Sequence, residues 1–360
     1  MVLGIPFHVG LMYSTGPAWF ISSADKSLPI TLVTGLLTSS RMPVFFVMAG
    51  ILSALVLERR DRTAWLKRRV VRLMIPFCTS ALVLSPVVML VIADQRASLS
   101  GTTNLGREVF FLLTHTGYHW IGHLWFLIVL MEMSVLTFVL SPWLPKSRAW
   151  VAGRLSNGDG CLGWRMAIIF CAVLIPFRIA AAGTFFLFQD SSSVVFQAAE
   201  ALELETFLKM LPFFVIGLLM YQQRIMAFHK DKIVLVLAAA TLLIYAFSFG
   251  HTGNSWRLLG YVSGGIAAPL VCFSMLSLGA ARWTRHNAYV RHFKDASFTI
   301  YLTHYPICVV IGYFLVASDL NIYASYTLNI ALTLALSLLC HEFISRHRTT
   351  RLLFNGERGK

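Results

Sequence analysis

An all-α, polytopic membrane bundle of about ten transmembrane helices, both termini in the cytoplasm, is the fold class this sequence predicts. Three observations carry that prediction. First, 57% of the 360 residues are hydrophobic and only 13% charged, with a mean hydropathy of +0.70, whereas soluble domains carry about 25% charged residues. Second, the apolar residues fall in long blocks near the ~20 residues a bilayer core demands of a helix, with almost none of the alternation that marks strands. Third, Lys and Arg gather in every second loop, which is the charge asymmetry that orients membrane helices.

The spans follow in order, at 1–14, 42–57, 73–93, 121–141, 166–187, 204–221, 233–249, 257–281, 297–317 and 326–345. The first reaches only about 21 Å at 1.5 Å per residue, short of the ~30 Å core. Gly16-Pro17 discourages its continuation, so the expectation is a first helix whose start lies upstream of Met1. The second span ends on Arg59, Arg60, Arg62, Lys67, Arg68, Arg69 and Arg72, which lead into the third. Lys146, Arg148, Arg154 and Arg165 follow the fourth. The loop after the fifth is acidic, with Asp190, Glu200 and Glu203. Arg224, Lys230 and Lys232 follow the sixth, and Arg282, Arg285, Arg291 and Lys294 the eighth. Arg346, Arg348, Arg351, Arg358 and Lys360 make 346–360 a basic cytoplasmic tail on a single transmembrane domain, 1–345. Topology thus accounts for the net charge of +14, and nucleic acid is excluded as a partner. Cys78, Cys161, Cys171, Cys272, Cys308 and Cys340 form no CxxC pair, so neither a disulfide framework nor a metal site is predicted.

Ionisable groups within a membrane are costly, and each is a functional candidate. His8 follows the helix-bending Pro6 in the first span. Its imidazole either takes a proton from a hydroxyl or is an interior side chain bonded to a neighbouring helix. His123 opens the fourth span in GHLWFL, which reads equally as an interfacial tryptophan anchor. Glu132 follows in the same span, and Lys209 lies in the outer half of the sixth. His304, in SFTIYLTHYPI, sits about 12 Å into the ninth span, near mid-bilayer. Arg178 needs a partner, either a structural one, Glu132 or Glu205, or the carboxylate of a substrate. Arg69 and Arg72 are three apart on one helix face. They either grip phosphates or are plain cytoplasmic charge. No Gly-rich phosphate loop, HExxH or GxSxG elbow is present.

Seven stretches, in this order, carry a resemblance. They are LGIPFHVGLMYS (3–14), RMPVFFVMAGILSALVLERR (41–60), WLKRRVVRLMIPF (65–77), GHLWFLIVL (122–130), LPFFVIGLL (211–219), ASFTIYLTHYPI (296–307) and the late HEF around Glu342. Together the chain resembles the acyltransferase-3 family of membrane acyltransferases, and within it a subgroup that succinylates osmoregulated periplasmic glucans. The resemblance implies about ten helices in a bacterial inner membrane, no tightly bound cofactor, and acyl-CoA, here succinyl-CoA, as a cytoplasmic co-substrate. The implied acceptor is a sugar hydroxyl of a periplasmic glucan or another envelope glycan, with glucan-synthase machinery a candidate partner. The family pattern of an Arg, ten residues and a His places its His on His8 and its Arg before Met1. The family RxxR falls on Arg69 and Arg72, which then hold the phosphates of coenzyme A. His8 becomes the base on the acceptor hydroxyl, or relays the acyl group, with His304 or His123 orienting the acceptor or assisting the proton transfer. Arg178 or Arg41 becomes the cation for a succinyl carboxylate. An O-acetyltransferase of lipopolysaccharide or exopolysaccharide is the alternative within the class. A glycan transporter is the alternative outside it.

Overall fold

The computed structural model describes residues 2–16, 19–100, 106, 109–110, 121–156, 163–187, 200, 202–220, 231–282 and 288–357. Of the residues named above, Met1, Pro17, Cys161, Asp190, Arg224, Lys230, Arg285, Arg358 and Lys360 lie outside the described residues. Every regular element among the described residues is a helix. In chain order they are α1 (Gly4–Tyr13), α2 (Leu28–Arg59), α3 (Arg62–Val83), α4 (Ser85–Ser100), a 3₁₀ turn (Gly122–Leu124), α5 (Trp125–Leu140), α6 (Leu144–Ser156) and α7 (Gly163–Leu187). They continue as α8 (Leu204–Met220), α9 (Lys232–Phe249), α10 (Asn254–Arg282), α11 (Ala288–Val316), α12 (Ile322–Arg346) and α13 (Arg348–Asn355).

Seven stretches among the described residues are long and apolar enough to cross a membrane: Leu28–Arg59, Arg62–Gln95, Gly122–Leu140, Lys232–Phe249, Asn254–Gly279, Val290–Val316 and Ile322–Arg346. The remaining predicted spans are present as helices of the same bundle. Of these, α1 has 10 residues and α8 has 17, while α7 contains the apolar stretch Ile168–Thr184.

The largest departure from expectation is α2, predicted over 42–57 and observed over Leu28–Arg59, 32 residues and about 48 Å. Ser27 caps it, accepting from the Ile30 N–H at 3.5 Å, and Pro29 lies in the first turn, where no N–H partner is lost. Thr31, Thr34 and Thr38 make the first half read as a loop. Each hydroxyl instead donates to the carbonyl four residues back, at 2.7 Å, and so hides its polarity inside the helix. Arg41 consequently stands in the interior of a membrane-length helix. Asp61 starts α3 by accepting from the N–H groups of Thr63 and Ala64, at 2.9 and 3.0 Å. Hydrogen bonds from the Thr63 side chain and the Ala64 N–H hold its carboxyl below the usual carboxylate range.

Packing centres on α2, which contacts α1, α8, α9 and α10. Its crossing with α8 is a glycine-to-glycine approach. A Cβ on Gly50 would stand 2.2 Å from the Phe214 carbonyl oxygen, and one on Gly217 2.1 Å from that of Val47. Without a water-driven hydrophobic force between helices in lipid, such close backbone contact is a main source of association. The outward faces are apolar: Leu82, Ile179, Val236, Leu258 and Phe314 are each more than 60% exposed. On α12 the soluble pattern is inverted. Ser325, Asn329, Thr333, Ser337 and His341 are buried, while Leu328, Leu332, Leu336, Leu339 and Phe343 face outward. That arrangement suits a lipid solvent.

Past α12 the chain turns back onto the bundle. The short α13 packs on α3 and α12. The buried Thr299 hydroxyl donates to Asn355 Oδ1 at 3.0 Å and lies 3.1 Å from His341 Nδ1. Gly356, at φ +62°, lies so close to α3 that a Cβ there would stand 2.4 Å from the Arg72 Cα.

Candidate active site

Four of the residues singled out from the sequence converge. His8 of α1, Arg41 of α2, His123 of the 3₁₀ turn and His304 of α11 line one cavity of about 430 Å³. Pro6 lies in the first turn of α1, and its carbonyl accepts a hydrogen bond from the Tyr326 hydroxyl of α12 at 3.2 Å. This anchors the helix that carries His8. Gly122, at φ +46°, makes the turn that delivers His123 to the start of α5.

The polar pattern of α11 explains how His304 is aimed. Its Nδ1 lies 2.8 Å from the Ile300 carbonyl and 2.7 Å from that of Tyr301. Carbonyls only accept, so Nδ1 carries the proton and Nε2 carries the lone pair. That Nε2 is buried with no partner among the described residues. It points across the cavity to α1, where a Cβ on Gly4 would come within 3.0 Å of it. The His8 ring lies 5.3 Å from that of His304 and 5.2 Å from that of Tyr305, and its Nδ1 is likewise buried and unpartnered.

His123 is held differently. Its Nε2 donates to the Leu302 carbonyl at 3.0 Å, and its own carbonyl accepts from the Tyr301 hydroxyl at 2.6 Å. Its ring stacks on Tyr305 at 4.6 Å and stands 5.7 Å from His304. It therefore braces α5 against α11 beside the reactive pair. Trp19, 6.2 Å from His8 and 6.0 Å from Tyr305, closes another wall. The Arg41 guanidinium lies 4.1 Å over the Phe7 ring, and its Nη1 is buried without a partner among the described residues. Among the described residues no cluster of three His, Cys, Asp or Glu is arranged to hold a metal ion.

Such a cavity combines a nitrogen lone pair excluded from bulk water, a second imidazole beside it, and a fixed cation. That set can remove a proton from a hydroxyl and stabilise negative charge close by. Reading the sequence alone missed Gly4, Phe7, Trp19, Tyr301 and Tyr305 as cavity walls. A signal for two of them was present: Tyr301, His304 and Tyr305 have the i, i+3, i+4 spacing of one helix face.

Arg178 stands apart, in a second cavity. Neither Glu132 nor Glu205 pairs with it among the described residues. Instead its Nη2 donates to the Tyr261 carbonyl at 2.7 Å, and the guanidinium lies 4.2 Å over the Tyr261 ring. Glu205 pairs with Lys209. Arg69 and Arg72 share α3 but face different surroundings, and neither lines the histidine cavity. Arg69 Nη2 donates to Ser53 Oγ of α2 at 2.8 Å. Arg72 is 61% exposed in its side chain and pairs with Glu357 at 3.6 Å.

Comparison with known proteins gives this geometry its context. The acyltransferase-3 family, described as an acyltransferase domain, matches residues 1–342. The chain is 26% identical over 385 residues to glucans biosynthesis protein C of Escherichia coli O139:H28, covering 99% of this chain and 92% of that protein. It is also 26% identical over 382 residues to glucans biosynthesis protein C of Escherichia coli K12, with the same coverage. No solved structure matches. With the family match running from the first residue of the chain to beyond the middle of α12, the chain belongs to the acyltransferase-3 family of membrane acyltransferases.

Proposed function

We propose that this protein is an O-acyltransferase of the bacterial inner membrane that moves a succinyl group from succinyl-CoA to a sugar hydroxyl of a periplasmic glucan. Ten helices cross the bilayer in this reading, with both termini and the basic loops in the cytoplasm. The relatives named glucans biosynthesis protein C support the glucan acceptor. The observation that carries the chemistry is the unpartnered His304 Nε2 facing His8 across the cavity.

In the step proposed, the acceptor hydroxyl docks between His8 and His304 and loses its proton to an imidazole nitrogen. The resulting oxygen attacks the thioester carbonyl. A C–O bond forms, the C–S bond breaks, and the proton passes to the coenzyme A thiolate, so that ester and free thiol leave. His304 suits the base role, because the Ile300 and Tyr301 carbonyls fix its tautomer with the lone pair inward. His8 shares the proton, and His123 positions α11. Arg41, with a buried donor to spare, receives the free carboxylate of the succinyl group. Arg69 and Arg72 hold the phosphates of coenzyme A at the mouth of α3. This requires the phosphates to displace Glu357 from Arg72. No resident cofactor is required.

The test is mass spectrometry of periplasmic glucans from a host lacking its own substituting enzyme. Expression of the chain should add succinyl mass, and His8→Ala should abolish the addition while the protein remains in the membrane. An acetyl increment in place of succinyl would move the assignment to an O-acetyltransferase. Glucan that changes compartment without changing mass would replace the enzyme with a transporter.

A further inference from the structure

Beside the histidine cavity lies a larger one, of about 770 Å³, built by α2, α7, α8, α9 and α10. Thr38 and Phe249 line both cavities, so the two adjoin at that wall. The larger has the volume of a typical ligand pocket, and far more than a four-carbon acyl group fills. Tyr245, Phe249, Trp256 and Tyr261 give it aromatic walls, the surfaces on which the C–H faces of sugar rings pack.

Its charge is one-sided. Arg178, Lys209 and Arg257 line it, and among the described residues no Asp or Glu does. Lys209 is neutralised by Glu205. Arg178 is not: its one described side-chain bond goes to a backbone carbonyl. The guanidinium is nonetheless rigidly placed. The Tyr261 hydroxyl donates to the Arg178 carbonyl at 2.6 Å, the Tyr261 ring lies beneath it, and it rests on Gly265, where a Cβ would stand 3.0 Å from Nε and 3.2 Å from Cζ. A guanidinium keeps its charge at any working pH, and within a membrane-embedded bundle such a charge calls for a counter-ion. Among the described residues the protein supplies aim but no anion.

We propose that the larger cavity is an acceptor subsite selective for acidic glycan. An anionic substituent of the glycan, carboxylate or phosphate, rests on Arg178 while a neighbouring sugar presents its hydroxyl past Thr38 and Phe249 to the histidines. This rests on the acyltransferase reading above and adds a preference among acceptors.

The experiment uses the full-length protein purified in detergent, with two acceptors: a neutral β-glucan oligosaccharide, and the same oligosaccharide oxidised to carry carboxylates. Transfer is measured from succinyl-CoA and from acetyl-CoA. The wild-type protein should have the lower KM for the carboxylated acceptor. Arg178→Gln should reduce that preference about tenfold, the size of one charge-assisted contact, by the same factor for either acyl donor. Gly265→Ala, whose methyl displaces the guanidinium without removing it, should reduce the preference in the same direction, and Arg178→Lys should restore part of it. Loss confined to succinyl-CoA with either acceptor would assign the anion to the acyl group and overturn the proposal, as would an unchanged preference in Arg178→Gln. Binding is read separately as thermal stabilisation by the carboxylated oligosaccharide, expected for wild type and absent in Arg178→Gln. If wild type transfers no acyl group at all, the acyltransferase reading fails, and this binding difference still decides for or against the subsite.

Discussion

Gly4→Ala places one methyl group against the atom on which the chemistry depends. The new Cβ would lie 3.0 Å from His304 Nε2, 3.6 Å from its Cδ2 and 3.7 Å from its Cε1. A hydroxyl surrendering its proton must approach that nitrogen to about 2.6–3.2 Å, so the methyl occupies the approach. General base contributions are typically 10²–10⁴-fold, and transfer should therefore fall by about 100-fold or more, equivalent to ~2.7 kcal/mol on the barrier. The fold should scarcely notice. Gly4 is the first residue of α1, where alanine is tolerated as well as glycine, and the His304 ring must give by only a few tenths of an ångström. The assay is the initial rate of coenzyme A thiol release with glucan acceptor, run beside thermal unfolding in detergent. Gly183→Ala is the control, since no described residue lies within 4 Å of a Cβ at that position on α7. Gly4→Ala protein that transfers at the wild-type rate would show that the acceptor does not dock on His304 Nε2. Loss of rate together with loss of folding would equally remove the argument.

Three further outcomes are expected. Gly217→Ala drives a methyl to 2.1 Å from the Val47 carbonyl oxygen, and overpacking of this kind costs about 1–3 kcal/mol or more; a lowered Tm in detergent, with weakened contact between α2 and α8, is the readout. Arg41→Gln removes the cation proposed for the acyl carboxylate, so succinyl transfer should fall at least tenfold more than acetyl transfer, as measured by competition between the two thioesters. Glu357→Gln frees Arg72 from an exposed ion pair worth at most ~1 kcal/mol. The KM for acyl-CoA should drop by up to about fivefold with Tm unchanged, and an unchanged KM would argue against phosphate binding by Arg72.

The membrane class and helical content were legible because hydropathy is summed over some twenty residues and tolerates local error. The extent of α2 was not, because threonine hydroxyls satisfied by their own helix look, residue by residue, like a polar loop. Of the four cavity residues, His8, His123 and His304 could be named individually from the cost of placing polar groups in lipid, whereas Arg41 entered only through the resemblance, as a cation for the acyl carboxylate. Their convergence could not, because it depends on four elements meeting in space. One of the two readings of Arg178, a structural carboxylate partner, is not met among the described residues, for a related reason. Charge logic pointed to Glu132 or Glu205, whereas the helix crossing presents a tyrosine carbonyl and ring. The backbone offers no residue-specific signal in a sequence. The same blindness applies to Asn355, which follows a run of tail residues that read as solvated charge, yet is buried against Thr299.

The central place of α2 has a consequence for biogenesis. It is among the first helices made, yet its glycine contact lies on α8, and α9 and α10 follow later still. The roughly 150 residues of intervening chain take on the order of 10–30 s to synthesise. Throughout that interval Arg41 must reside in the membrane, or at its edge, before the cavity that will shelter it exists. A nascent chain halted before α8 would thus present an unsheltered cation and an open glycine groove to the lipid. Such truncated products would be natural targets for membrane quality control, and the late helices complete the site by giving the early one a place to stay.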